Sequence, residues 1–249
     1  MITSLSLPFE QLPCANFLVA FGASNMPGKV IILILAVGSI MAWTIMVTKA
    51  RELSRAKKEG AEFIKAYRRE GHPLALFLKR QKHDQTPSYS VYVKACNKLG
   101  GVLEARGIDT DDLFMGGVGM TLPRLSKLQV SEIRNVAECS MADEVLLLED
   151  KMGLLATAVT AAPFLGLLGT VWGVMDAFGG MASAGSAQLS AVAPGISSAL
   201  TTTVVGLIVA LPSSIGYNLL SSRIRTLSVQ VNNFVQEYVS DIERNFLDD

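Results

Sequence analysis

Three stretches of this chain are apolar and almost free of charge for long enough to cross a lipid bilayer, and nothing else constrains its fold as strongly. Residues 30–47, VIILILAVGSIMAWTIMV, lie between Lys29 and Lys49 and are uncharged. Residues 153–178 and 192–220 contain no Lys, Arg or Glu, and their single acid is Asp176. A helix needs about 20 predominantly apolar residues to span the hydrocarbon core, where backbone polar groups find no water. Half of the 249 residues are hydrophobic and the mean hydropathy is +0.37, yet 18% are charged. Such a chain is too apolar for an ordinary soluble domain and too charged to lie wholly in lipid. The expected fold is an all-α membrane protein, three transmembrane helices extended by long cytoplasmic helices.

Basic residues near the span ends set the orientation. No Lys or Arg precedes Lys29, whereas Lys49, Arg51, Arg55, Lys57 and Lys58 follow the first span directly. The amino terminus is therefore expected outside. The segments read as 1–28 outside, 29–48 first span, 49–152 cytoplasmic helical domain, 153–178 second span, 179–191 outer loop, 192–220 third span and 221–249 cytoplasmic helix. A cleaved signal peptide does not account for the first span, because its basic residues follow the apolar run instead of preceding it.

Several function classes are disfavoured. Twenty-two basic and 22 acidic residues give a formal net charge of zero, against the basic excess that nucleic acid binding requires. Cys14, Cys96 and Cys139 show neither CxxC nor metal-ligand spacing, and the topology puts Cys14 across the membrane from the other two. They read as isolated, mostly buried thiols, and His72 and His83 as solvated surface residues, so no metal site is expected. No GxGxxG follows a strand, no GxxxxGK[ST] occurs, and no nucleophile, base and acid converge, so neither cofactor nor enzyme is signalled.

In the cytoplasmic part, GHP at 71–73 and QKHDQTPS at 81–88 break the helix that leaves the first span. From about Leu122 a helical pattern runs without a breaker into the second span, so one long helix is expected to cross the interface. The tail repeats apolar residues at Ile224, Leu227, Val231, Phe234, Tyr238 and Ile242, a coiled-coil-like seam. It can be buried against neighbouring copies or against this chain's own cytoplasmic helices.

The second span places Gly166, Gly169 and Thr170, Gly173, Ala177 and Gly180 on one face. Small residues let helix backbones approach closely in lipid. The third span clusters Ser197, Ser198, Thr201, Thr202 and Thr203, with Gly206 one turn beyond. Thr203 falls about 15 Å deep, near the midplane, and Thr170 reaches a similar level. These hydroxyls either face one another and a shared polar conduit, or bond back to their own helix carbonyls. A proton path also needs a group that titrates, and none lies at mid-depth. Asp176, about 9 Å nearer the outside than Thr170, belongs at the pore mouth. A conducted proton therefore needs a carboxylate from another polypeptide.

APFLGLLGTVWGVM at 162–175, VAPGISSALTTTVVGLIVALP at 192–212 and YN at 217–218 resemble the MotA/TolQ/ExbB proton channel family, in its TolQ and ExbB branch. The likeness is dense from about Lys127 to the end and looser over the first span and its exit; the carboxy-terminal run leans toward TolQ. The resemblance implies a homopentameric ring in the bacterial inner membrane, making the outside the periplasm. It implies a pore holding a TolR- or ExbD-like single-span partner that supplies a membrane-embedded aspartate. Proton flow would then drive a TolA- or TonB-like transducer. Carried over, Thr170 and Thr203 fall beside that aspartate, and Pro163, Pro194 and Pro212 bound the spans; from the residues themselves, Ser198 and Thr202 are placed on the same pathway and Gly166, Gly169, Gly173 and Gly206 pack helices. The sequence departs at Ser198, where the branch usually has glutamate, and at Asp176, where it often has Asn or His. The competing reading is a non-conducting scaffold whose spans only oligomerise; a flagellar stator is disfavoured because that branch has four spans and a longer chain.

Overall fold

The computed structural model describes residues 26–79, 86–105, 124–184 and 189–246. Among these the regular structure is helical, apart from one isolated bridge at Leu125. The helices are α1 (Met26–Glu70), α2 (Ala75–Leu78), α3 (Pro87–Glu104), α4 (Lys127–Glu149), α5 (Met152–Ala184) and α6 (Leu189–Phe246). Three helical stretches are long and apolar enough to cross a membrane: Met26–Glu70, Lys127–Ala182 and Gly195–Phe246. The chain divides into two compact units. Of the described residues, those within 26–47 and 151–218 form an apolar unit, and those within 48–150 and 219–246 a polar unit.

In the apolar unit, Ile31 and Leu35 of α1 pack with Ala162 of α5 and with Val209 and Ala210 of α6; Leu165 and Val205 cover them. The outward surface is as apolar as this interior. Leu33, Phe164 and Ile208 are 65%, 71% and 65% exposed. Large apolar side chains turned outward on every helix suit a lipid solvent and would drive association in water. The protein is a multi-pass membrane protein.

In the polar unit the usual order returns, apolar inside. Phe63 and Tyr67 of α1, Tyr92, Cys96 and Leu99 of α3, and Val130 and Ile133 of α4 share a core with Val231, Phe234, Tyr238 and Ile242 of α6. Phe63, Tyr67, Tyr92, Phe234 and Tyr238 form a connected aromatic cluster with ring centroids 5.3–6.5 Å apart, a geometry that adds to area burial. The apolar seam of the tail is thereby spent on this chain's own helices.

Local chemistry sets the helix ends of this unit. Gly71, at φ 66, takes the left-handed position that ends α1. Thr86 caps α3, with Pro87 in its first turn. Ser126 and Gln129 form a reciprocal capping box at the start of α4, with bonds of 3.3 and 3.1 Å.

The structure departs from the sequence expectations at three places. The helix through the interface is interrupted: Asp150 leaves helical geometry and Lys151 has φ 64, so α4 and α5 are separate. Neither glycine nor proline marks that break, so periodicity does not reveal it. His72 is half-buried, its Nδ1 accepting from the Leu74 N–H at 3.2 Å and its ring 5.9 Å from Phe246, and burial lowers its pKa. Cys96 is buried but Cys139 is exposed. Cys14 and His83 lie outside the described residues.

Candidate functional site

The site is built on the seam between α5 and α6, and its spacing is set by glycine. A Cβ on Gly173 would stand 2.7 Å from the Ala199 Cβ, one on Gly169 2.7 Å from the Thr202 Cβ, and one on Gly166 3.0 Å from the Thr202 carbonyl oxygen. From the other side, a Cβ on Gly206 would stand 2.6 Å from the Ala162 carbonyl oxygen, and one on Gly195 2.9 Å from the Ala177 Cβ. Bare glycine thus brings the two backbones into contact over several turns. Gly180 is different: a side chain there would meet nothing within 4 Å.

Close approach puts the hydroxyls of α6 within reach of the α5 backbone. The Gly166 carbonyl oxygen lies within hydrogen-bond distance of three threonine hydroxyls: Thr170 at 3.2 Å, Thr202 at 3.1 Å and Thr203 at 3.0 Å. Thr202 also reaches the Ala199 carbonyl at 2.7 Å and Thr170 reaches it at 3.3 Å. Thr170 and Thr203 hydrogen-bond to each other, and either can be the donor.

The direction of the Thr170–Thr203 bond is free to reverse. Each hydroxyl has a single proton to give. If Thr202 donates to Ala199, Thr170 can donate to Thr203 while Thr203 donates to Gly166. In the reverse arrangement Thr203 donates to Thr170, and Thr170 donates to Ala199. The two arrangements reverse the Thr170–Thr203 bond and end on different carbonyls, Gly166 in one and Ala199 in the other; a bond reversible in direction is the property a hydroxyl pair needs if it is to hand a proton along. Thr170 and Thr203 are both only half-buried, so the pair also has an open side.

Thr202 does not belong to an open lining: it is 1% exposed, packed into the gap left by Gly169, and is a seam residue. Ser198 is buried, and with Asp176, Trp172, Gly28 and Thr202 it lines a cavity of about 10 Å3, close to the room one water needs. Pro163 sits inside α5 and Pro212 inside α6, and Pro194 lies near the start of α6. Thr201 bonds back to the Ser197 carbonyl at 2.9 Å, the ordinary fate of a hydroxyl in a membrane helix. Sequence reasoning missed the Gly166 and Ala199 carbonyls as acceptors, since only packing shows which backbone oxygens a hydroxyl across the seam can reach. Among the described residues no group of His, Cys, Asp and Glu is arranged to hold a metal ion.

Residues 111–233, which contain this whole seam, match the MotA/TolQ/ExbB proton channel family. The chain is 30% identical over 190 residues to the biopolymer transport protein ExbB of Neisseria meningitidis, covering 76% of this chain and 80% of that one. The chain belongs to the MotA/TolQ/ExbB proton channel family. It is also 28% identical over 231 residues to the Tol-Pal system protein TolQ of Haemophilus influenzae, 92% of this chain and 94% of that protein. A longer relative, ExbB of Pseudomonas putida, is 30% identical over 208 residues, 82% of this chain and 56% of its own length. Membership makes the chain part of a proton channel family and not an enzyme. Relatives of both names match over most of the chain, so membership alone does not choose between the TolQ and ExbB roles.

Proposed function

We propose that this protein is the proton-conducting subunit of an inner-membrane energy-transducing complex, and that Thr170 and Thr203 are its hydroxyl contribution to the path. Five copies form a ring, amino termini in the periplasm and carboxyl termini in the cytoplasm, with α5 and α6 around a central pore. The pore holds a TolR- or ExbD-like partner whose single span brings an aspartate to the level of the threonine pair. Protonation cycles of that aspartate move the partner, and the motion reaches a TolA- or TonB-like protein that acts on the outer membrane. The carboxy-terminal sequence favours the TolQ-type role.

The observation that carries this reading is the Thr170–Thr203 bond, reversible in direction and open on one side, at a depth where the chain has no acid of its own. A carboxylate arriving at that open side would complete a donor–acceptor line that this chain leaves unfinished. Asp176 and Ser198, sharing one small cavity nearer the outer end, form the entry, with Ser198 standing where the branch usually carries glutamate.

The test is proton flux into liposomes holding the complex co-purified with its partner. Flux should vanish when the partner's membrane aspartate is replaced by asparagine, while the mass of the complex stays the same. Flux that survives this replacement removes the proposed path. A complex that assembles yet never conducts supports the scaffold reading, which the glycine seam satisfies without any hydroxyl.

A further inference from the structure

The polar unit contains a cleft of about 290 Å3 between α1 and α6, and its chemistry is one-sided. Its floor is Leu53 and Leu227, 1% and 5% exposed. Its walls carry Lys57, Arg223 and the hydroxyls of Ser54, Ser222 and Thr226, and no carboxylate lines it. Ser54 and Thr226 spend their protons on the Ala50 and Ser222 carbonyls at 2.7 and 2.9 Å. The donors left facing the cleft are the Lys57 ammonium, the Arg223 guanidinium and the Ser222 hydroxyl.

These cations are not neutralised nearby. Among the described residues Lys57 forms no ion pair, and Arg223 reaches only the Ser54 hydroxyl, at 3.5 Å. The acids of this stretch of α1 are engaged elsewhere, Glu52 with Lys49 at 3.1 Å and Glu59 with Arg55 at 2.6 Å. α6 has no acid between Arg223 and Glu237. The contrasting cleft beside α3 and α4 is lined by Glu52, Glu59 and Glu144 against Arg55 alone.

Position along the helices identifies the ligand. Arg223 follows Leu220, the end of the third apolar stretch, by three residues, about 4.5 Å of helix; Ser54 follows Val47 by seven, about 10 Å. The mouth of the cleft is therefore near headgroup level in either orientation of the chain. Leu219, four residues before Arg223 and on the same helix face, is 59% exposed and offers an acyl chain an apolar path away from the cations.

We propose that this cleft holds the phosphodiester of an anionic phospholipid from the adjoining leaflet, gripped by Lys57 and Arg223. A basic pocket at the end of membrane helices suits such a headgroup, and the apolar floor and Leu219 favour a lipid over a free anion. The inference requires only that the chain spans a membrane; it does not depend on proton conduction.

The full chain, extracted in mild detergent, is titrated with phosphatidylglycerol or phosphatidylcholine and the bound lipid is counted by native mass spectrometry. Phosphatidylglycerol should be retained in preference. Lys57→Gln with Arg223→Gln should weaken its binding about 30-fold, roughly fivefold for each cation removed. Arg225→Gln, outside the cleft, should leave it within about twofold. Both cleft residues are exposed, and an unchanged thermal midpoint establishes that the double variant is folded. The proposal is overturned if the double variant behaves like Arg225→Gln, which means diffuse attraction, or if 10 mM inorganic phosphate displaces the lipid, which means a soluble-anion site. It is equally overturned if the double variant loses subunits while lipid retention is unchanged, which means that a second copy covers the cleft.

Discussion

The hydroxyls of Thr170 and Thr203 are hydrogen-bonded to each other across the α5–α6 seam. Valine matches threonine in shape and lacks the hydroxyl, so Thr170→Val or Thr203→Val breaks this link with little change in packing. Either substitution should cut proton flux through the complex about tenfold or more, the scale of one lost hydrogen-bonded step. The subunit count should stay the same. Thr170→Ser, which restores the hydroxyl, should recover most of the flux in the liposome assay.

Asp176 shares its cavity with Ser198. If the pair forms the outer entry, Asp176→Asn slows flux when proton supply is limiting, at high external pH, more than at low pH. A loss that is equal at all pH values would make Asp176 a structural residue.

The glycine seam separates two kinds of substitution. Gly173→Leu drives a side chain into Ala199, and such overpacking costs about 1–3 kcal/mol. Gly180→Ala meets nothing within 4 Å and gains helix propensity of up to about 1 kcal/mol. Thermal unfolding in detergent should place the first below the unmodified protein and the second level with it or above it.

How legible was this in the sequence? The spans were, because runs such as 30–47 admit no charge and few structures other than a helix satisfy a backbone in lipid. The small face of α5 was legible from helical period alone, and Gly166, Gly169, Gly173 and Ala177 do meet α6. Thr202 was not separable from Thr203. Adjacent residues on a helix point about 100° apart, and only the packed pair shows which one enters the seam. The tail seam had two possible partners by pattern, and the aromatic core decides for this chain's own helices, since Tyr238 fills it beside Tyr92 at 5.4 Å. The break at Lys151 left no signal, because no glycine or proline stands there.

Thiol chemistry tests the core of the polar unit. Burial pushes the Cys96 thiol up to about 12, although Tyr238 Oη lies 3.2 Å from its sulfur. At pH 8 only about one part in 10,000 is then thiolate, the reactive form. In a Cys14→Ser background, maleimide should label exposed Cys139 promptly and Cys96 only on unfolding.

His72 gives a pH signature. Burial lowers its pKa in the folded protein, so as pH falls through about 6.5 the unfolded chain binds this proton first. Stability should therefore decline on acidification below that point. His72→Asn keeps a side-chain acceptor for the Leu74 N–H but cannot titrate, and its thermal midpoint should fall less between pH 7 and 5.5.

The central claim is that this chain supplies hydroxyls and borrows its acid. The most direct measurement is proton entry into liposomes containing the purified chain alone, with its assembly verified by mass, under an imposed pH gradient. The account predicts leakage no greater than in empty liposomes, rising only when the aspartate-bearing partner is present. Sustained flux through the chain without any partner would contradict it.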